Sequence, residues 1–381
     1  MITETGVDQT FARKLNSQMI MQLLRTRDMT SRELADELKI STAAISMITS
    51  ELLKNNYIFK RTEKSANKLG RSTLVFSLNP DFACVGLVGL YDKKIRIGIS
   101  DMRGEIAYEK EMKEVDSFDN AAFLEIVIEL KEVLRQKFDH IPLLGIEVSI
   151  PGKIDKNSGE IIMSHQFNAA FNHDKEYIQK LFFKYFNVPV KVNNDLKLSA
   201  IGEMHKGNIG ENVENALVLH VGVGVGGALI FNREVYNGKR GFAGEIGLFS
   251  VTFNGELYTF DGVCSLIGIK KYLQKKYDLD LSYREIIQKY NESDEIVHAH
   301  VNETAHVMGK ILKDLTEFLE FDEVIIGGFA VDFGEEYLGI VQEELDKSLN
   351  GTVAKYSTLK DGASMIGAAQ KATENLTKTL F

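Results

Sequence analysis

Apolar residues first recur at helical spacing in "NSQMIMQLLRTRDM", where Met19, Ile20, Leu23 and Leu24 share a face. "TSRELADELKI" follows, with Thr30 three residues before Glu33. At that spacing each side chain satisfies a backbone donor at a helix start, and Leu34, Ala35 and Leu38 then face one core. "STAAISMITSELLKNNYI" predicts a third helix, capped by Ser41, with Ile45, Ile48, Leu52 and Leu53 as its buried stripe. The period then shortens to two: "YIFKRTEKSANKLGRSTLVFSL" predicts two strands joined by a basic loop.

After "NPDF" the pattern changes again. "ACVGLVGLY", "IRIGISD" and "EIAYEKEM" predict three short strands, "NAAFLEIVIELKEVLRQKF" an amphipathic helix, and "LLGIEVSIPG" a buried strand. A helix over 174–186, the strand "VPVKVNN" and a helix from about 195 complete the round. A second round starts at "NALVLHVGVGVGGALIFN" and runs through helices near 264–276, 282–290 and 294–320. It continues with "EVIIGG", a helix near 333–349, "TVAKY" and a last helix over 363–376. Hairpin-connected strands followed by alternating helix and strand, twice over, predict two α/β lobes with a cleft at the carboxyl ends of their strands. The expected division is a head over 1–80, a first lobe over 81–200 plus 363–381, and a second lobe over 201–362.

The three helices and two strands of the head predict a winged helix-turn-helix. Its third helix offers Ser41, Thr42, Ala43, Ser46, Met47, Thr49 and Ser50 on the face away from the stripe, with no acid among them. Small side chains there let the backbone approach base edges in a major groove. Lys60, Arg61, Lys64, Lys68 and Arg71 in the wing would meet phosphates, and Arg71, after Gly70, could reach a minor groove. Charge follows the same division. Residues 1–79 hold 12 Lys/Arg against 8 Asp/Glu, a net of +4 within a chain of net −9, so the remainder carries −13. A basic head on an acidic body points only the head at a polyanion. The two cysteines cannot build a disulfide framework and fit a reducing cytoplasm. No apolar run reaches membrane-spanning length, and no membrane partner is expected.

In the cleft the candidate residues are amides and carboxylates. Asn194 and Asp195 end one strand, Gly152 follows another, "AGEIG" places Glu245 between glycines, and "HQFNAAFN" contributes Asn168. Such a group suits a polyhydroxylated ligand, because each hydroxyl both donates and accepts. The competing reading of Asp195 is a plain helix cap.

"GIEVSIPGKIDKNSGEI", "VPVKVNNDLKLSAIGEMHKG", "ALVLHVGVGVGGALIFNREVYNGKRGFAGEIGLFSV" and "VIIGG", in that order, resemble the ROK family of repressors and sugar kinases. The resemblance implies the two-lobed actin/hexokinase-like (ribonuclease H-like) fold. It places the family's catalytic aspartate on Asp195 and its sugar-binding glutamate on Glu245. It also marks departures. Where family kinases carry Asp and then Gly-Gly-Thr for phosphate, this chain has Gly89 and then Tyr91, Asp92 and Lys93. Val223 replaces the threonine of the second phosphate loop. Zinc in the family takes a histidine and three cysteines. Here Leu248 stands at the histidine position and Cys264 is alone in its segment, so no zinc and no other cofactor is expected. His165 and His220 are weak substitutes. The resemblance thus implies a cytoplasmic, sugar-responsive repressor, acting in sugar metabolism such as that of xylose. It would bind operator DNA as a homodimer or dimer of dimers, with Asp195 as a binding group at a vestigial catalytic position. An ATP-dependent sugar kinase with a DNA-binding head, and a DNA-bound scaffold with an empty cleft, are the alternatives.

Overall fold

The computed structural model describes residues 9–64, 72–91, 94–115, 117–162, 167 and 174–381. The head contains α1 (Gln9–Thr26), α2 (Ser31–Leu38), α3 (Thr42–Lys54), β1 (Ile58–Lys64) and β2 (Ser72–Leu78). Thr30 and Glu33 form the reciprocal capping box, and Ser41 Oγ accepts from Ala44 N at 3.2 Å. β1 and β2 pair antiparallel from Ile58–Leu78 to Lys64–Ser72, and Met29 adds a two-bond bridge to Phe76.

The first lobe follows: β3 (Cys84–Tyr91), β4 (Lys94–Ser100), β5 (Ile106–Glu111), α4 (Asn120–Lys137), β6 (Leu143–Ile150), the small hairpin β7 (Lys153–Ile154) and β8 (Ile161–Ile162), α5 (Lys175–Phe186), β9 (Val190–Asn194) and α6 (Asp195–Lys206). Its sheet has the order β5-β4-β3-β6-β9, antiparallel through the first three strands and parallel from β3 onward.

The second lobe repeats the plan with β10 (Ala216–Val221), β11 (Val225–Phe231) and β12 (Glu234–Tyr236). A hairpin comes next, β13 (Ser250–Phe253) and β14 (Glu256–Thr259), then α7 (Phe260–Cys264), α8 (Leu266–Tyr277), α9 (Tyr283–Asn291) and α10 (Glu295–Leu319). β15 (Glu323–Gly328), α11 (Gly334–Leu345), β16 (Val353–Tyr356) and α12 (Ala363–Thr379) finish the chain. The sheet order β12-β11-β10-β15-β16 matches that of the first lobe position for position. The sequence boundary expected at 200/201 falls inside α6, which packs on both β10 and β11 as well as on α12.

The head shares a core with the body. Ile20, Met21, Leu24, Ile45, Ile48 and Leu52 belong to one buried cluster with Val85, Leu87, Leu198, Met365, Ala368 and Ala372. Polar contacts fix the same junction. Gln18 and Gln22 donate to the carbonyls of Lys378 and Glu374, and Arg25 Nη1 donates to Gln370 Oε1 at 2.6 Å. On its other side α12 crosses α6 with almost no space between the backbones. A Cβ on Gly367 would overlap the Leu198 carbonyl, and one on Gly202 would overlap that of Ala363. The helix that begins at Asp195 therefore touches the helix that carries the head.

Candidate functional site: the interlobe cleft and the winged head

The carboxyl ends of β6, β9 and β10 open on a cavity of about 350 Å3 between the lobes. Gly152, Asn194, Asp195 and Glu245 all line it. Asn168 lies outside the described residues, as do His165, Asp92 and Lys93. Asp195 is the first residue of α6, and the cap is Asn194, whose Oδ1 accepts from Lys197 N at 3.0 Å. The Asn194 amide nitrogen donates to Gly152 O at 2.9 Å and to Asp195 Oδ1 at 3.0 Å. Asn194 thus orients the site. Its carboxamide is engaged at both ends, and the carboxylates of Asp195 and Glu245 line the cavity beside it. Gly152, with φ 96°, adopts a left-handed conformation that brings its carbonyl to Asn194.

Cations balance these acids. Lys153 Nζ, from β7, lies 3.2 Å from Glu245 Oε2 across the cleft. Lys197 donates to Gly241 O, and burial, partly offset by Glu245, pushes its pKa down to about 8. Arg240 pairs with Asp155 at 2.5 Å, so the loop before Glu245 is held by groups of the first lobe. Asp155 is kept below the usual carboxylate range by the amide of Asn157 and by Arg240. None of these partners stood out in the sequence; Lys153 and Lys197 flank motif residues, and that flanking was the only available signal.

The glycine-loop end of the cleft carries an internal carboxylate contact. Val225 N, an amide of the glycine loop, donates to Asp261 Oδ1 at 2.6 Å. A carboxylate of the protein thus holds a backbone donor of the loop that would otherwise face phosphate. On the opposite side Tyr91 borders the cavity; its hydroxyl donates to Glu111 at 2.8 Å and Arg96 stacks on its ring. Burial raises the Tyr91 pKa far above the usual phenol value. Among the described residues the charged groups lining the cavity are Lys153, Lys197 and Lys360 against Asp195, Glu245, Asp261 and Asp361.

Zinc does not fit the residues at its family position. Leu248, 52 % exposed, presents an alkyl group to the cavity. Cys264 is fully buried, donates to Thr304 O, and has its thiol pKa pushed well up by burial. Among the described residues no group of three or more His, Cys, Asp or Glu could hold a metal ion. His220 lines the cleft without such companions. The segment between Leu248 and Cys264 forms the β13–β14 hairpin instead, turned by Asn254 (φ 49°) and Gly255 (φ 79°). Two positive φ values mark a type I′ turn, and "NG" was its readable signal.

In the head, Thr42, Ala43, Ser46, Met47 and Ser50 form the exposed face of α3, with Met47 61 % exposed and Ser41 exposed at its cap. One expectation needs correction. Thr49 is 2 % exposed and donates to Ile45 O at 2.8 Å; with Ile45, Ile48 and Leu52 it lies on the core stripe and faces no DNA. Arg61 is drawn to Asp28 at 2.6 Å, whose other oxygen takes Arg103 at 2.9 Å. That carboxylate ties the wing to the body. Lys60 remains exposed beside the Phe76 ring. Arg71 and Lys68 lie outside the described residues. Among the described residues no helix is long and apolar enough to cross a membrane.

A model of the ROK family matches residues 88–375. The chain is 26 % identical to a xylose repressor of Caldicellulosiruptor bescii over 94 % of its own length and 96 % of the relative's. It is 28 % identical to a glucokinase of Halalkalibacterium halodurans over 59 % of its length and 74 % of the relative's. Among solved structures, a ROK-family transcriptional regulator, described as a homologue of the E. coli MLC protein, superposes with a TM-score of 0.80 at 17 % identity. That match covers 97 % of this chain and 98 % of the other, head included.

Proposed function

This chain belongs to the ROK family, and from that premise we propose that it is a transcriptional repressor whose DNA affinity is set by a sugar in the interlobe cleft. The single observation that carries the reading is the contact chain from ligand site to head. Asp195 opens α6, α6 crosses α12 at Gly202 and Gly367, and α12 holds α1 through Gln370, Glu374 and Lys378. A ligand that draws the lobes together on Asp195 and Glu245 moves α6 relative to the first sheet, and α12 passes the movement to the head. The ligand shifts that equilibrium only by its differential affinity for the two states, typically about 1–3 kcal/mol.

The sugar we propose is xylose or a related pentose. The xylose repressors among the relatives suggest it, and Leu248 suits it by placing an alkyl group where a more hydroxylated ring would want a donor. Asp195 holds a hydroxyl, Glu245 a second, and Asn194 fixes Asp195. The repressor works in the cytoplasm, as a dimer on two half-sites about one or two helical turns apart. It works without zinc and without phosphoryl transfer.

The test uses a duplex selected from a random pool by the full-length protein. Fluorescence anisotropy should give release on addition of xylose, and an unchanged DNA affinity with lost response in Asp195→Ala and Glu245→Ala. An intact response in both variants would remove the cleft from the mechanism. ADP release with xylose or glucose that vanishes in Asp195→Asn would establish the kinase instead.

A further inference from the structure

A second chamber lies behind α7, on the side away from the sugar cleft. Its volume is about 220 Å3, and it is lined by Phe253, Tyr258, Val263, Tyr272, His300 and the lysines Lys271 and Lys275, with Gly262 and Gly268 adding no side chain. It shares no lining residue with the cleft. Five separate elements supply its walls: β13, β14, α7, α8 and α10.

His300 is the group that needs explaining. It is 3 % exposed, yet neither Nδ1 nor Nε2 has a hydrogen-bond partner. The nearest carboxylate, Glu303, stands 3.7 Å from Nδ1, beyond hydrogen-bond reach. Burial, helped by Lys276, pushes the imidazole pKa down to about 4, so at neutral pH it offers one donor and one acceptor. Leaving buried polar atoms unmatched is costly, because the water they give up is not replaced. The ring is held in place, stacked on Tyr272 at 4.1 Å and 12°, with Phe253 at 5.9 Å. Phe253 in turn meets Tyr258 at 6.4 Å and Tyr272 at 5.3 Å.

We propose that this chamber is a binding site for a small aromatic acid, one ring bearing a carboxylate or comparable anion. An apolar cavity of roughly 150 Å3 suffices for benzene, so this one holds a ring with a substituent. The aromatic walls take the ring by stacked and edge contacts. The imidazole supplies the hydrogen bond it lacks. Lys271 and Lys275 take the anion; Lys275 has only an exposed partner, Glu256 at 3.5 Å, and such a surface pair is weak. A sugar fits less well, because one imidazole cannot match several hydroxyls against aromatic walls.

The experiment is saturation-transfer NMR on the full chain with benzoate, benzyl alcohol and xylose as probes, together with 15N imidazole spectra. Benzoate should bind at least tenfold more tightly than benzyl alcohol and move the His300 ring resonances. The double variant Lys271→Gln/Lys275→Gln, on exposed positions, should weaken benzoate at least tenfold. His300→Phe should abolish its binding while keeping the stack. Equal binding of benzoate and benzyl alcohol, xylose at the His300 ring, unmoved ring resonances, or full benzoate affinity in the lysine variant would each overturn the proposal.

Discussion

Gly367 and Gly339 both sit in helices, and the same Gly→Ala change should move them in opposite directions. At Gly339, in α11, an added Cβ meets nothing within 4 Å. Alanine there gains helix propensity of up to about 1 kcal/mol. At Gly367 the Cβ overlaps the Leu198 carbonyl oxygen and lies 2.6 Å from its carbon and 3.0 Å from Gly202 N. Ordinary contact begins at 3.4 Å, so the carbonyl carbon alone requires α6 and α12 to part by about 0.8 Å and the overlapping oxygen requires more, and none of the three atoms belongs to a side chain that could turn aside. Overpacking of this kind costs about 1–3 kcal/mol. The backbone contact places Gly367→Ala at the upper end, roughly 2–3 kcal/mol. Urea unfolding followed by circular dichroism measures both variants. The same change should weaken the coupling between the cleft and the head. With the crossing spread, α12 no longer follows α6, and xylose should change DNA affinity less than about threefold, against roughly 5–150-fold for a coupled pair of sites. A Gly367→Ala protein as stable as Gly339→Ala, or one that responds fully to sugar, would refute the reasoning.

Burial raises the Glu147 pKa to about 7, although Asn193 donates to the carboxylate. The folded state therefore holds a proton that the unfolded chain loses near 4.5, and stability falls as pH rises from about 4.5 to about 7, by on the order of 3 kcal/mol. Urea midpoints at pH 5 and pH 8 should differ in wild type and converge in Glu147→Gln, with the variant the more stable at pH 8. Ser46→Glu places an acid on the exposed face of α3; DNA affinity by anisotropy should drop at least tenfold while sugar binding by calorimetry is unchanged. Asp28→Asn removes the charge shared by Arg61 and Arg103 and should cost about 1–3 kcal/mol, read from urea unfolding, and loosen the wing toward proteolysis.

Local signals carried most of the fold. The Thr30–Glu33 box, the Ser41 cap and the two rounds of strand and helix patterning describe contacts between near neighbours, and the structure has them where the sequence puts them. The misses come from long range or from residue type outweighing period. Thr49 reads as a DNA contact because it is small and polar, yet its spacing from Ile45 and Leu52 puts it on the buried stripe. Arg61 keeps about half of its side chain exposed, and nothing in the chain nearby announces that its partner Asp28 also binds Arg103, 75 residues away. The head reads as a separate unit because its stripes are ordinary, whereas its core continues into Val85, Leu87 and α12. Removing residues 1–80 would therefore expose the apolar face of α12, and point substitutions are the sounder test of DNA binding. In the cleft, Asn194, Asp195 and Glu245 were legible because motif and strand end coincide. Asp261 was not, since its role depends on α7 facing the glycine loop.

On the proposed function, that last carboxylate is one of several features that set the cleft for sugar over nucleotide. A triphosphate needs backbone amides, a hydroxyl and net positive charge gathered around it. Here a glycine-loop amide already donates to Asp261, Tyr91 lines the facing wall, and among the described residues three lysines stand against four acids. Two of those acids, Asp261 and Asp361, are outside the Asp195 and Glu245 pair proposed to hold the sugar. Like charges facing a polyphosphate in a partly enclosed cleft repel it with little screening. A neutral polyol meets no such penalty and gains from every carboxylate and amide. Magnesium would offset some of the repulsion. Asp261→Asn should therefore restore little, because the amide it frees still faces Val223, where no hydroxyl completes the cradle. Calorimetry with magnesium-ATP on Asp261→Asn and on Asp261→Asn/Val223→Thr separates the contributions: the double variant should bind measurably and the single one should not. Tight magnesium-ATP binding by the unmodified chain would show that charge does not exclude the nucleotide here.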